Sequence, residues 1–286
     1  MRSPEAHKWL VQAARRDHPR ALLLLGRSHV RWLRGEDCDE IAQHSPQRAI
    51  EYLERAAAQD MPEAYWLLAQ VYQHKGFALR DLRLARQNLD KAAHAGIAPA
   101  QVALARRLMA GHASLEDSLR AGHLLQAARE DAAVRDEADS LMDGLADRAP
   151  EWEPEILATQ ARLLMHLMEC RSRVAPRLML AARFGLSTRE ALFIDLLNAD
   201  QDWCLLADVG KHFHYRPWRL VRCLSDEQHE ALRLAREYAL QSLRGEPDIF
   251  TEAMGCTRSR ARRLQAELNP LNIDPGLFIA GWKPSA

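Results

Sequence analysis

The side chains with the most chemical potential stand in the C-terminal half of the chain. Asp195, Asp200, Asp202 and Asp208 fall close together, yet no DDxxD pair presents two carboxylates to magnesium, and solvated helix ends account for the cluster. A thiol–imidazole pair could assemble in three dimensions from Cys204 or Cys223 with His212 or His229. Nothing local distinguishes these cysteines from buried structural thiols. His212 and His214 sit two apart, on different faces of any helix, which favours ordinary polar roles over metal ligation. Phosphate-binding GxxxxGK(S/T), dinucleotide GxGxxG, hydrolase GxSxG and zincin HExxH motifs are all absent. The expectation is a protein with no catalytic residues, cofactor or metal. One sharper alternative lies at Phe250-Thr-Glu-Ala-Met-Gly255-Cys-Thr257, where a Gly turn leads to Arg258, Arg260, Arg262 and Arg263. That cadence suits a helix-turn-helix whose arginines reach DNA phosphates or guanine edges, making a DNA-associated regulator the alternative function.

The elements that would carry such groups are helical. The 286 residues are 48% hydrophobic and 27% charged, with aromatics at only 6%, a balance that excludes disorder and an aromatic-rich sandwich. Lys and Arg total 39 against 39 Asp and Glu, and each half is also balanced, so neither is a bulk polyanion binder. The longest early apolar run, Ala21-Leu22-Leu23-Leu24-Leu25, is too short for a signal peptide or a membrane span. Five widely separated cysteines without a CxxC pair fit a cytoplasmic protein with reduced thiols.

Self-similarity organises the first half. Four segments align without gaps: Ala6–Ala14, Ala49–Ala57, Ala85–Ala93 and Arg120–Ala128, each ending in an Ala-Ala pair. The first three are followed by a second register, Ala21 with Leu25-Gly26, Ala64 with Leu68-Ala69, and Ala100 with Leu104-Ala105. Two helices per unit follow, because small residues at fixed places let paired helices approach while Leu fills the seam. Asp17-His-Pro19, Asp60-Met-Pro62 and Gly96-Ile-Ala-Pro99 supply the turns. Trp9, Tyr52, Trp66 and Tyr72 fall at repeat positions and are expected in interhelix seams, Trp66 being the one with potential for ligand stacking.

The A-x-x-(W/Y)-L-x-x-A-A block, its step to the next Ala and the L-(G/A) pair resemble the Sel-one-like repeat, a branch of the tetratricopeptide-repeat superfamily. The likeness covers about residues 5–145. It departs from the pattern at an acidic insertion around Arg34–Ser45, at Asn88 where an aromatic is usual, and at Arg120 where the leading Ala is lost. The resemblance implies an all-α fold over 1–148, a right-handed superhelix of antiparallel helix hairpins, while the residues beyond it read as a helical module over 149–286 that the resemblance does not cover. It also implies a non-catalytic adaptor that grips a protein or peptide segment in a concave groove. By the same resemblance the residues after each L-(G/A) pair point into that groove: Arg27, Gln70 and Arg106, then Arg31, Gln73 and His74, with Arg20 and Trp66 completing the lining. Arginine at both ends would suit an acidic peptide, whose carboxylates match the guanidinium fork. The alternative is a solvated helix face in an Arg-rich chain. No membrane partner is expected.

After Pro150 and Pro154 the register is lost. Helices are expected at Glu155–Arg173, Ala175–Phe184 with a stop at Gly185, Ala191–Asn198 after a Ser187–Glu190 capping box, Trp203–Phe213, Pro217–Leu224, Asp226–Leu243 and Pro247–Leu268. The Pro/Gly-rich end, with Leu277, Phe278, Ile279 and Trp282, reads as an apolar strap.

Overall fold

In a computed structural model of the chain, residues 4–30, 45–75, 80–111, 113–209, 218–244 and 256–282 are described. They are mostly helical, with a single two-stranded sheet among them. In order these are α1 (Pro4–Arg15), α2 (Pro19–Val30), α3 (Pro46–Ala57), α4 (Pro62–Gln73), α5 (Leu82–His94), α6 (Ala98–Leu108), α7 (Leu115–Ala128) and α8 (Arg135–Leu145). Then come α9 (Pro154–Glu169), α10 (Ala175–Phe184), α11 (Thr188–Phe193), β1 (Cys204–Asp208), β2 (Trp218–Arg222), α12 (Asp226–Arg244) and α13 (Thr257–Leu268). The chain forms two compact units that divide between Met142 and Asp143. Arg31, the insertion from Arg34 to His44, Cys38, His212, His214 and the Phe250–Gly255 turn lie outside the described residues.

In the first unit each helix from α1 to α7 packs against the next, and the same three devices recur. The first is the turn. Asp17, Asp60 and Gly96 adopt left-handed φ angles of 57°, 55° and 84°. Each turn is closed by a bond from the following amide to the first Ala of the pair: His18 to Ala13 at 3.0 Å, Met61 to Ala56 at 3.3 Å and Ile97 to Ala92 at 3.1 Å. This closure satisfies carbonyls the helix end would otherwise leave bare. The second device is a side-chain donor for the second Ala carbonyl of each pair. Arg55 Nη2 donates to Ala14 at 2.8 Å, Tyr65 Oη to Ala57 at 3.0 Å and Gln101 Nε2 to Ala93 at 3.4 Å. The third is close approach between units. A Cβ on Gly26 would meet Leu53 Cγ and Cδ2 at 2.6 Å, so the Leu-Gly pair of α2 leaves space that α3 fills. Ala69 with Leu89, and Ala105 with Leu125, bury the corresponding small and large residues further along.

Burial corrects the register of the fourth segment. Ala121, Leu125 and Ala128 are all at 0% exposure, as are Ala49, Leu53 and Ala56. The leading Ala is therefore present at Ala121 rather than lost at Arg120, and the repeat block there reads Ala121-x-x-Leu124-Leu125-x-x-Ala128. The turn then fails for a definable reason. The position equivalent to Asp17, Asp60 and Gly96 is Ala132, a residue that resists the left-handed conformation, and Asp131 instead accepts the Ala133 amide through its side chain at 2.9 Å. A second correction concerns Trp9, expected in a seam but 70% exposed. Tyr52, its counterpart on α3, stacks on the His29 ring of α2 with centroids 5.9 Å apart, whereas Trp9 has no such cover among the described residues.

The second unit is built around α10, whose residues are buried almost all round. Gly185 ends it at φ 59°, where Pro150 Cδ would lie 2.1 Å from any Cβ. Ser187 and Glu190 form a complete capping box for α11. The helices expected at Trp203–Phe213 and Pro217–Leu224 are instead strands in their described parts. Leu205 pairs with Val221 and Leu206 with Leu220 in an antiparallel ladder. Cys204-Leu205-Leu206-Ala207 is buried on both faces, and a short apolar run of that kind carries no period by which helix and strand differ. Helix α11 also ends earlier than expected, because Ile194 turns to an extended conformation. The Pro/Gly-rich end straps the core: Phe278 and Ile279 are buried, Gln160 Nε2 donates to the Leu277 carbonyl at 2.7 Å, and the Ala280 amide to Leu186 at 3.2 Å.

Candidate partner-binding groove

In the repeat register, the outward positions of the first helix in each unit lie two before, two after and six after the leading Ala. On α3 these are Gln47, Glu51 and Arg55, and on α5 Arg83, Gln87 and Lys91, all exposed. On α7 they are Leu119, His123 and Ala127. One polar face thus turns largely apolar at the end of the series, with His123 the polar residue kept, and there a groove of about 680 Å³ runs along it. Leu115, Leu119, Leu124 and Ala127 form its floor, Glu116, Arg120 and His123 its α7 rim, and His94 and Gln101 its far wall.

Each wall is locally braced. Ser114 caps α7 by accepting the Asp117 amide at 3.0 Å. Arg120 reaches Asp90 at 3.7 Å, tying the α7 rim to α5. His94 Nδ1 donates to the Asp90 carbonyl at 2.7 Å, which turns the opposite edge of its ring outward. Gln101 is held by its bond to Ala93. The apolar floor can exclude water from an apolar side chain, while the imidazoles and Arg120 offer donors at the edge. No shape change is needed to form the groove.

None of the groove residues expected from sequence lines it. Arg20 and Arg27 are exposed on α2, and Arg106 on α6 pairs with Glu137. Gln70 and Gln73 lie on α4, and His74 caps its end. Trp66 is half-buried against the cluster of Leu89, Ala92 and Leu104. The signal that finds α7 is periodic, apolar Leu119 and Ala127 either side of His123 where α3 and α5 are polar throughout, and it emerges only once the fourth register is set from Ala121.

The second-unit candidates are engaged in structural roles. Burial drives the Cys204 thiol well above its ordinary range, and desolvation pushes Cys223 up to about 12, the opposite direction from an activated nucleophile. His229 Nδ1 is bonded to the Ser225 carbonyl at 3.0 Å. Asp195 accepts the Leu197 amide and the Asn198 side chain, and Asp200 accepts the Asp202 amide, so these carboxylates shape the turns between α11 and β1. Asp208 lies at the end of β1. On α13, Arg260 donates to the Leu192 carbonyl at 2.8 Å with its guanidinium 4.2 Å from the Phe193 ring. Arg258, Arg262 and Arg263 are exposed. Among the described residues no three His, Cys, Asp or Glu side chains gather as metal ligands, and no helix is long and apolar enough to cross a membrane. No family model matches the chain, and no curated protein matches it significantly.

Proposed function

We propose that the protein is a non-catalytic adaptor that holds a segment of a partner protein against the repeat helices of its first unit. The observation that carries this reading is the change from Gln47, Glu51 and Arg55 on α3 to Leu119, His123 and Ala127 on α7, beside a groove of about 680 Å³. A soluble helix face has no folding reason to exchange polar for apolar residues, so the exchange fits a surface that is covered in use. The segment it suits carries two or three apolar anchors at helical or extended spacing, with an acceptor placed for Arg120 or His123. A preformed groove spares the receptor the ordering cost of binding. The Ala-x-x-(W/Y)-Leu blocks and their likeness to Sel-one-like repeats support the same role, since such hairpins serve as scaffolds.

The test is capture of partners by the full-length protein beside two variants. Leu119→Glu combined with Ala127→Glu should abolish retention of a discrete protein and leave the thermal midpoint nearly unchanged, because Ala127 is exposed and Leu119, half-buried, borders the open groove. Arg27→Glu combined with Arg106→Glu should leave retention intact. The reverse pattern would return the site to the arginines of α2 and α6.

A further inference from the structure

Three of the four repeat blocks bury one face against the preceding helix. Ala49, Leu53 and Ala56 do so against α2, Ala85, Leu89 and Ala92 against α4, and Ala121, Leu125 and Ala128 against α6. The first block carries the same residues, Ala6, Trp9, Leu10 and Ala13, on a face open at Ala6 and Trp9, with Leu10 and Ala13 packed on one side against the unit's own core. Ala6 is exposed, Trp9 is 70% exposed, and Leu10 and Ala13 are half-buried. Among the described residues the helices that cover such faces are α2, α4 and α6, and each is already occupied by α3, α5 or α7. A second copy therefore has none of them to offer. What it does offer is another α1.

The open face is matched to itself. Its residues run small, large, large, small at spacings symmetric about the point between Trp9 and Leu10. Laid antiparallel across a two-fold axis, Ala6 faces Ala13 of the second copy while Trp9 and Leu10 interleave at the centre, and the paired alanines let the backbones approach. The ends also agree in charge: Glu5 in the first turn of one helix runs toward Arg15 and Arg16 at the end of the other. A closed two-fold contact needs such a self-complementary patch. We propose that α1 is the interface of an antiparallel homodimer of this chain. One helix pair buries less than a standard interface, so the dimer is weak and depends on concentration. It is independent of the groove on α7.

Sedimentation velocity of the full chain, from about 1 μM to about 500 μM, reads this directly, the range being set by the affinity a small interface supports. The mass should rise toward two chains and stop there, and Trp9→Glu should hold the protein monomeric with an unchanged melting midpoint. Under mild oxidation, a mixture of the Ala6→Cys and Ala13→Cys proteins should cross-link above the wild-type background, and neither variant should do so alone. In the antiparallel arrangement like positions lie about 10 Å apart along the axis, from seven residues at the helical rise. A monomer at every concentration, growth beyond two chains, or cross-linking of Ala6→Cys with itself would each overturn the proposal.

Discussion

The two units satisfy their helix ends in different ways. In the first, Tyr65 and Gln101 each reach back eight residues within their own hairpin to Ala57 and Ala93, while Arg55 reaches from the next unit to Ala14. In the second, arginines do the work from the interior. Arg177, at 6% exposure, donates to the Ile194 carbonyl at 2.9 Å and reaches Ala191, while Arg260 donates to Leu192. Two cations from two other helices thus gather at the C-terminal end of short α11, where the helix dipole and the unpaired carbonyls both favour positive charge. Arg222, at 3%, pairs with Asp143. Two of the repeat turns share one answer, a donor at the same place on the following helix, whereas the second unit solves each helix end separately.

That contrast can be broken by substitution. Phe278→Ala should have the largest effect, about 3–5 kcal/mol, because it empties a fully buried site under the strap. Hydrogen exchange should show the loss of protection in 154–282 and spare α1 to α6. Spread of the loss into those helices would mean that the strap's stability is not confined to its own unit. Next comes Gly26→Ala, expected to cost about 1–3 kcal/mol because its Cβ meets buried Leu53. Gly144→Ala, with nothing within 4 Å, should instead stabilise α8 by up to about 1 kcal/mol. Equal denaturation midpoints for these two glycine variants would remove the close-approach account of the seam. Gly96→Ala forces a side chain into a turn at φ 84° and should cost about 1–2 kcal/mol.

The smallest effect is a matter of pH and belongs to the second unit. Burial by itself raises the pKa of Glu190, but hydrogen bonds from Arg219 and the Ser187 amide, with the charge of Arg219, outweigh it and hold the group below its ordinary 4.5. A depressed carboxylate contributes stability that is fully present above its unfolded value and lost as the pH falls through its folded one. Glu190→Gln should therefore flatten the acid limb of the stability profile below about pH 4.5 and leave the slope near pH 7 as it was. An unchanged acid limb would show that the Arg219 pair carries no such linkage.

Legibility followed the range of the interactions. The turns at Asp17, Asp60 and Gly96, the stop at Gly185 and the capping box at Ser187 could be read because each is decided by residues within a few positions. The β1–β2 ladder could not, since Leu205 becomes a strand residue through pairing with Val221 rather than through any local pattern. The groove fell between these cases. Its apolar positions are plain in the sequence of α7, but the ungapped Ala-Ala alignment placed that block one residue out of step, so Leu119, His123 and Ala127 did not line up with the polar faces of α3 and α5.

The sequence by itself determined that the chain is helical, that its first half repeats, and where small residues must stand for paired helices to meet. Periodicity and turn chemistry are local, and they survive in one dimension. Only the tertiary structure decided that Ala121 leads the fourth block, that Trp9 stands in solvent, and that a groove opens along α7. Burial depends on which helix lies alongside, and the residues of one helix do not name the neighbour that covers them.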